Sequence, residues 1–234
     1  IRGLTVTMPF KQQVIPYLDS IDPNAEKIGA VNTVEVTPTQ LIGHNTDSAG
    51  LLADLDAHGV PVSHRRVLIL GAGGSARAAV AACAGVGAKI RVIARRSEQA
   101  ESLRGILEGS TSRDPNSFAL FPWTPLGFLE ASDGCALIIN ATPLGMASTS
   151  STSQSPISSH QCSPASLPPR PPPSPWPSDI PFPPDAFVYD LVYNPPVTAL
   201  MEQARAAGQQ AANGLGMLVE QGALAFELWT GLTA

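Results

Sequence analysis

Three features of the sequence predict an α/β protein built on a doubly wound parallel sheet. Apolar, β-branched runs alternate with alanine-rich or amphipathic stretches along most of the chain. One such run, residues 67–70, ends in the cluster Gly71-Ala72-Gly73-Gly74 and passes directly into a helical pattern. With 234 residues, 44% of them hydrophobic, the chain can bury one large core or two modest ones.

Residues 1–8 alternate loosely as a strand, and Pro9 then stands where a first helical turn accepts proline. Lys11 falls in that turn, and Pro16 keeps any helix short. Taken alone, Lys11 reads as a solvated lysine on a strand-to-helix rim. Residues 25–36 predict a short helix, a glycine turn and a strand, and residues 37–40 make a hairpin-like connection to residues 41–47. Asn32, Asn45, Thr46 and Asp47 are polar residues at strand ends. Taken alone they read as turn and cap residues, with Asp47 capping a helix over residues 49–58.

The run at residues 67–70 has the character of a strand buried on both faces. Gly71 makes the tight turn after it. Gly73 removes a Cβ where backbone would approach a pyrophosphate, and Ala76 is small enough to pack helix on strand. The N–H groups at the start of a helix over residues 75–86 would point at the anion. A second strand, residues 90–94, ends in Arg95-Arg96-Ser97, where a dinucleotide fold reads the adenosine ribose. An acid there would suit the 2′-hydroxyl of NAD, whereas two arginines suit the 2′-phosphate of NADP. A ligand-free turn and a solvated arginine pair are the plainer alternatives. The cofactor-binding reading makes this a Rossmann-like domain.

Further along, residues 118–121 predict a strand, residues 124–131 a helix capped by Thr124, and residues 136–140 another buried strand. From residue 147 to about residue 184 the composition turns to serine and then proline, which reads as a surface excursion that packs no core. Residues 187–193 resume as a strand, and residues 197–207 are helical until Gly208. Leu215, Leu218, Val219, Gly222, Phe226 and Trp229 recur at helical spacing, with Gln221 flanking that face.

A formal charge of −5 and a pI near 5.3 argue against nucleic acid or an anionic membrane as partner. No apolar run reaches the roughly 18 residues of a membrane span. Cys83 and Cys135 sit in apolar contexts that predict core positions, and Cys162 stands apart. His44, His58, His64 and His160 show no metal-ligand spacing, so no metal is expected. A reducing, cytoplasmic setting follows.

Seven blocks in order carry a resemblance across nearly the whole chain. They are Val6-Thr7-Met8-Pro9-Phe10-Lys11, Gly29-Ala30-Val31-Asn32-Thr33, Gly43-His44-Asn45-Thr46-Asp47, Gly71-Ala72-Gly73-Gly74-Ser75-Ala76-Arg77, Ile139-Asn140-Ala141-Thr142-Pro143-Leu144-Gly145-Met146, Tyr189-Asp190-Leu191-Val192-Tyr193-Asn194-Pro195, and the stretch from Gly214 to Ala223. Together they resemble the shikimate dehydrogenase family. The resemblance implies NADP-dependent, reversible reduction of 3-dehydroshikimate to shikimate in aromatic amino-acid (chorismate) biosynthesis. It implies Lys11 and Asp47 as the catalytic pair, and Thr7, Asn32, Asp47, Tyr193 and Gln221 as substrate contacts. Gly71, Ala72, Gly73, Gly74, Ser75, Arg95, Arg96, Leu191 and Gly214 would contact the cofactor.

The resemblance also implies a domain division. Residues 1–47, completed by the C-terminal helix over residues 215–234, would form part of a smaller, split α/β substrate domain. Residues 48–214 would form the NADP-binding domain, with residues 147–184 inserted. The resemblance implies a small-molecule partner and a monomer or homodimer. Thr5 replaces the family's usual asparagine, and Ala94 and Arg96 replace its asparagine and threonine beside Arg95. The sequence begins inside the pattern, so the family's opening strand and helix, with a serine pair that grips the substrate carboxylate, are expected to be missing. An exposed sheet edge would result. Two alternatives remain open: a quinate/shikimate dehydrogenase using NAD, and a non-catalytic regulator that binds the same acids.

Overall fold

The computed structural model describes residues 1–107, 117–147 and 173–234, which form two sheets joined by two long helices. The smaller sheet has the order β1-β3-β4-β2, from β1 (Gly3–Thr5), β2 (Ser20–Ile21), β3 (Thr33–Val36) and β4 (Leu41–His44). β3 and β4 are the expected hairpin, closed by a Thr37 N–H to Gln40 carbonyl bond of 2.9 Å. β1 pairs antiparallel with β3 and is an edge among the described residues, with Leu4 half exposed. Helix α1 (Pro23–Ile28) starts at Asp22, whose carboxylate accepts from the Ala25 N–H at 2.9 Å, and ends at Gly29 in the left-handed region (φ 66°). Ala25, Val31 and Val34 make its small core.

After Pro9 the chain does not form the expected α-helical turn. It runs as turns into a short 3-10 helix, Ile15–Tyr17, because Pro16 removes a donor. Lys11 lies in those turns, with its carbonyl accepting from the Val31 N–H at 2.7 Å.

The larger sheet is parallel throughout, in the order β7-β6-β5-β8-β9-β10. Its strands are β5 (Arg66–Leu70), β6 (Lys89–Ala94), β7 (Phe118–Pro122), β8 (Leu137–Asn140), β9 (Phe187–Asp190) and β10 (Ala211–Asn213). Counted within this sheet, the order is 3-2-1-4-5-6, so the direction in which successive strands are added reverses between β5 and β8, and the crossovers leave a crevice at their carboxyl ends. The unbroken apolar run of β5 follows from burial on both sides. Val67 and Ile69 join one core, Leu68 and Leu70 the other.

Helix α3 (Gly74–Gly85) begins one residue before its predicted start. α4 (Ser97–Glu101) follows β6, and α5 (Pro125–Ser132) is capped by Thr124 as expected. α6 (Ala199–Ala206) is shorter than predicted, because Thr198 caps it by accepting from the Met201 N–H. β10, three residues of alanine and asparagine, had no apolar signature to announce it.

The proline-rich excursion differs from expectation. Residues 148–172, including His160 and Cys162, lie outside the described residues. Residues 173–184, by contrast, pack into the core against α5 and α6. Trp176 is only 2% exposed, stacks on Phe182 with ring centroids 4.6 Å apart, and meets Phe128 edge-on at 5.3 Å. Its indole N–H donates to the Ile180 carbonyl at 2.8 Å. Two large aromatics in a proline-rich context are enough to anchor the chain where composition alone suggests a free loop. Cys83 and Cys135 are core residues as expected, and burial pushes their thiols up to about 12 and about 11. No helix among the described residues is long and apolar enough to cross a membrane.

Candidate active site

Helices α2 (Asp47–Ala57) and α7 (Leu215–Thr230) cross between the two sheets, and their packing sets the site. The approach is close. A Cβ on Gly50 of α2 would stand 2.8 Å from the backbone nitrogen of Gln221 on α7, so glycine is required there. One turn further on, the Asp54 carboxylate lies against Gly216 in the first turn of α7, leaving no room for a side chain at 216. The buried Tyr189 hydroxyl of β9 donates to Asp54 Oδ2. At its far end α7 reaches the small sheet, where the Trp229 indole donates to the Val34 carbonyl at 3.1 Å.

Contrary to expectation, Asp47 does not cap α2. It occupies the first helical position after Thr46, and Asn45 does the capping, its Oδ1 accepting from the Asp47 N–H at 3.1 Å and the Ser48 N–H at 3.4 Å. This frees the Asp47 carboxylate, held at the positive end of the α2 dipole, to face the cavity. Lys11 Nζ donates to Asp47 Oδ2 at 2.6 Å, with the two side chains only 12% and 5% exposed. Lys11 is therefore a nearly buried, paired cation rather than a solvated one. Asn32 Nδ2 lies 2.9 Å from Asp47 Oδ1, 2.9 Å from Thr46 Oγ1 and 3.0 Å from Gln221 Oε1. With two hydrogens for three acceptors, the amide can satisfy only two of these oxygens at a time, and the Thr46 hydroxyl also donates to Gln221 Oε1 at 3.4 Å. Its Oδ1 accepts from the Thr46 N–H at 2.8 Å, which pins the side chain.

Lys11, Asn32, Asp47 and Gln221 line a cavity of about 400 Å³ between the sheets. Thr7, Tyr193, Leu191 and Gly214 open onto it too, so every expected substrate contact is gathered in one place. A second cleft, of about 220 Å³, runs over residues 71–75 to Arg95 and Arg96. The two clefts share Met8, Ser75, Ala141 and Thr142 and form one trough. All of the expected cofactor contacts lie along it.

The residues of the second cleft fit a phosphorylated dinucleotide. Gly71 has φ 108°, and a Cβ there would stand 3.1 Å from the Ala141 carbonyl oxygen. A Cβ on Gly73 would meet nothing within 4 Å, so its α-carbon faces open space in the cleft. No side chain caps α3, leaving its first-turn donors available to an anion. Arg95 and Arg96 are exposed at the far end and form no ion pair among the described residues.

Sequence reasoning assigned no role to Asn140, Thr142, Asp190 or Thr198, which together hold the loops after β8 and β9. Asn140 donates to Asp190 Oδ1 at 2.8 Å and accepts from the Thr142 hydroxyl at 2.7 Å, while the Thr198 hydroxyl donates to Asp190 Oδ2 at 2.6 Å. Burial pushes the Asp190 carboxyl above its ordinary value, and bonds from Thr198, Val192 and Asn140 pull the other way. A polar residue ending an otherwise apolar strand, as Asn140 and Asp190 both do, was the available signal.

A parallel sheet that carries a dinucleotide trough at its switch point, facing a second sheet that presents a buried lysine–carboxylate pair, defines a two-domain nicotinamide-dependent oxidoreductase. Relatives of known name narrow this class. A family model described as the shikimate dehydrogenase substrate binding domain matches residues 1–34, and one described as the shikimate 5′-dehydrogenase C-terminal domain matches residues 214–234. The chain is 41% identical to the NADP(+) shikimate dehydrogenase of Moorella thermoacetica, covering 100% of this chain and 71% of that one. It is 38% identical to that of Dehalococcoides mccartyi, over 98% and 72%. The crystal structure of shikimate 5-dehydrogenase from Thermus thermophilus, in complex with NADP(H) and shikimate, superposes with a TM-score of 0.77 at 34% identity, over 100% of this chain and 74% of that one. The chain belongs to the shikimate dehydrogenase family.

Proposed function

We propose that this protein is an NADP-dependent oxidoreductase that interconverts 3-dehydroshikimate and shikimate, with Lys11 and Asp47 as its catalytic pair. The observation that carries this is the nearly buried 2.6 Å Lys11–Asp47 contact in the wall of the substrate cavity, which shares Met8, Ser75, Ala141 and Thr142 with the cofactor cleft. Residues 71–75 would hold the pyrophosphate of NADP(H), with Arg95 and Arg96 suited to its 2′-phosphate, and the cofactor would supply or accept the hydride.

The chain's own residues handle the proton. In the reduction, Lys11 Nζ gives a proton to the oxygen of the reacting carbonyl. In the oxidation it takes that proton back from the hydroxyl. Asp47 Oδ2 holds the ammonium in place and its other oxygen, shared with Asn32, is positioned to accept from a substrate hydroxyl. Asn32, Gln221, Thr7 and Tyr193 offer an amide pair and two hydroxyls, a set suited to a small polyhydroxylated ring. Residues 1–47 with α7 constitute the substrate side and residues 48–214 the cofactor side, in a cytoplasmic monomer or homodimer that binds neither nucleic acid nor membrane.

The test is NADP+ reduction with shikimate, run beside quinate and beside NAD+. Turnover of shikimate with NADP+ in clear preference to the other pairs supports the reading. Preference for quinate and NAD+ favours a quinate dehydrogenase, and binding of the acids without turnover favours a regulator.

A further inference from the structure

The glycines at the start of α3 stand there for different reasons. Gly71 needs its positive φ, and Gly73 faces the open cleft. Gly74 lines the same cleft but needs no positive φ. It is the first residue of α3 and its φ is not positive, so its backbone conformation does not itself require glycine. What a Cβ at 74 would meet is the catalytic lysine, at 3.2 Å from Lys11 Cβ and 3.4 Å from Lys11 Cδ.

Lys11 cannot easily retreat from that position. Its carbonyl is tied to the Val31 N–H at 2.7 Å, directly before Asn32, and its ammonium is tied to Asp47. Both ends of the residue are therefore fixed by the substrate side, and the stem between them lies across the first turn of the cofactor-binding helix. We propose that Gly74 is a positioning residue for Lys11: it lacks a side chain so that the lysine stem can rest on α3, which ties the seating of the phosphate loop to the placement of the proton-transferring ammonium. This rests on the reading of Lys11 as the proton donor.

Gly74→Ala and Gly73→Ala, made in the full chain, separate the two roles. The readouts are NADP+ affinity by calorimetry, kcat with shikimate, and the rate at which acetic anhydride acylates Lys11 relative to exposed Lys27. Because Gly74 also lies in the phosphate loop, Gly74→Ala is expected to weaken NADP+ to some extent; at saturating NADP+ it is expected to lower kcat about 3- to 10-fold, as displacement of the lysine stem by a few tenths of an ångström does, and to change the relative acylation of Lys11 severalfold. Added to Lys11→Ala, it should lower kcat no further. Gly73→Ala should weaken NADP+ while leaving Lys11 acylation as it was.

Unchanged Lys11 acylation in Gly74→Ala, a loss confined to NADP+ affinity, or a kcat effect that persists in the Lys11→Ala background would each overturn the proposal. If Gly74→Ala fails to fold but folds when combined with Lys11→Ala, the steric contact is confirmed. Should the unaltered chain not turn over shikimate, the proposed activity falls, and the acylation comparison still decides the placement of Lys11.

Discussion

Replacing Lys11 by methionine keeps the bulk of the stem over Gly74 and removes only the ammonium, so it probes the charge rather than the packing. Two effects follow, of different size. Loss of a positioned general acid is expected to lower kcat by about 10²- to 10⁴-fold. On stability, two unit charges 2.6 Å apart attract by roughly 6 kcal/mol at an effective dielectric near 20. Desolvation of both groups offsets most of that, since they are 12% and 5% exposed. Asp47 also keeps the Asn32 amide at 2.9 Å and the α2 dipole. The net loss should therefore be about 1–3 kcal/mol, below the full cost of a stranded buried charge. Urea unfolding reads the stability, steady-state NADP+ reduction reads kcat, and calorimetry reads shikimate binding, which should survive. A variant with kcat within about fivefold of the original would refute Lys11 as proton donor. One with unchanged stability would refute a coupled, nearly buried pair.

Three further outcomes are expected. Arg95→Ala/Arg96→Ala should weaken NADP+ by about 10- to 100-fold, the worth of lost charge-assisted bonds, with NAD+ affinity unchanged; titration of both cofactors decides it. Trp176→Ala should cost about 3–5 kcal/mol in urea unfolding, because it empties a fully packed aromatic site, whereas a loss under about 1 kcal/mol would mean that residues 173–184 are not core. Asp190 has a raised native carboxyl value, so the native state holds its proton more tightly than the unfolded chain does. Its ionisation therefore costs stability at neutral pH. That cost is relieved as pH falls through the native value toward the ordinary carboxylate value near 3.9. Melting temperature against pH should show the parent gaining on Asp190→Asn over that window, and parallel curves would count against a raised value.

Much of the architecture was legible because local patterns and global fold agree. β5 reads as a central strand since both of its faces are buried, and a strand buried on both faces can only be an unbroken apolar run. The glycine loop, the Thr124 cap and the β3–β4 hairpin are likewise local chemistry. The seven ordered blocks carried the family, and with it the list of site residues.

What the sequence could not decide are matters of which side chain faces which. Asp47 has the pattern of an N-cap, and only the fold shows Asn45 taking that task and turning Asp47 to Lys11, 36 residues away. Lys11 alone looks solvated, and burial between two sheets makes it otherwise. Residues 173–184 look like a free proline-rich loop until Trp176 finds Phe182 and Phe128. The role of Gly74 is visible only when a distant lysine is laid across it. The division has a physical cause. Propensity, periodicity and turn chemistry act between near neighbours and are written in order along the chain. The pairing of charges and the filling of space depend on contacts between residues far apart in sequence, which exist only once the two sheets have closed on α2 and α7.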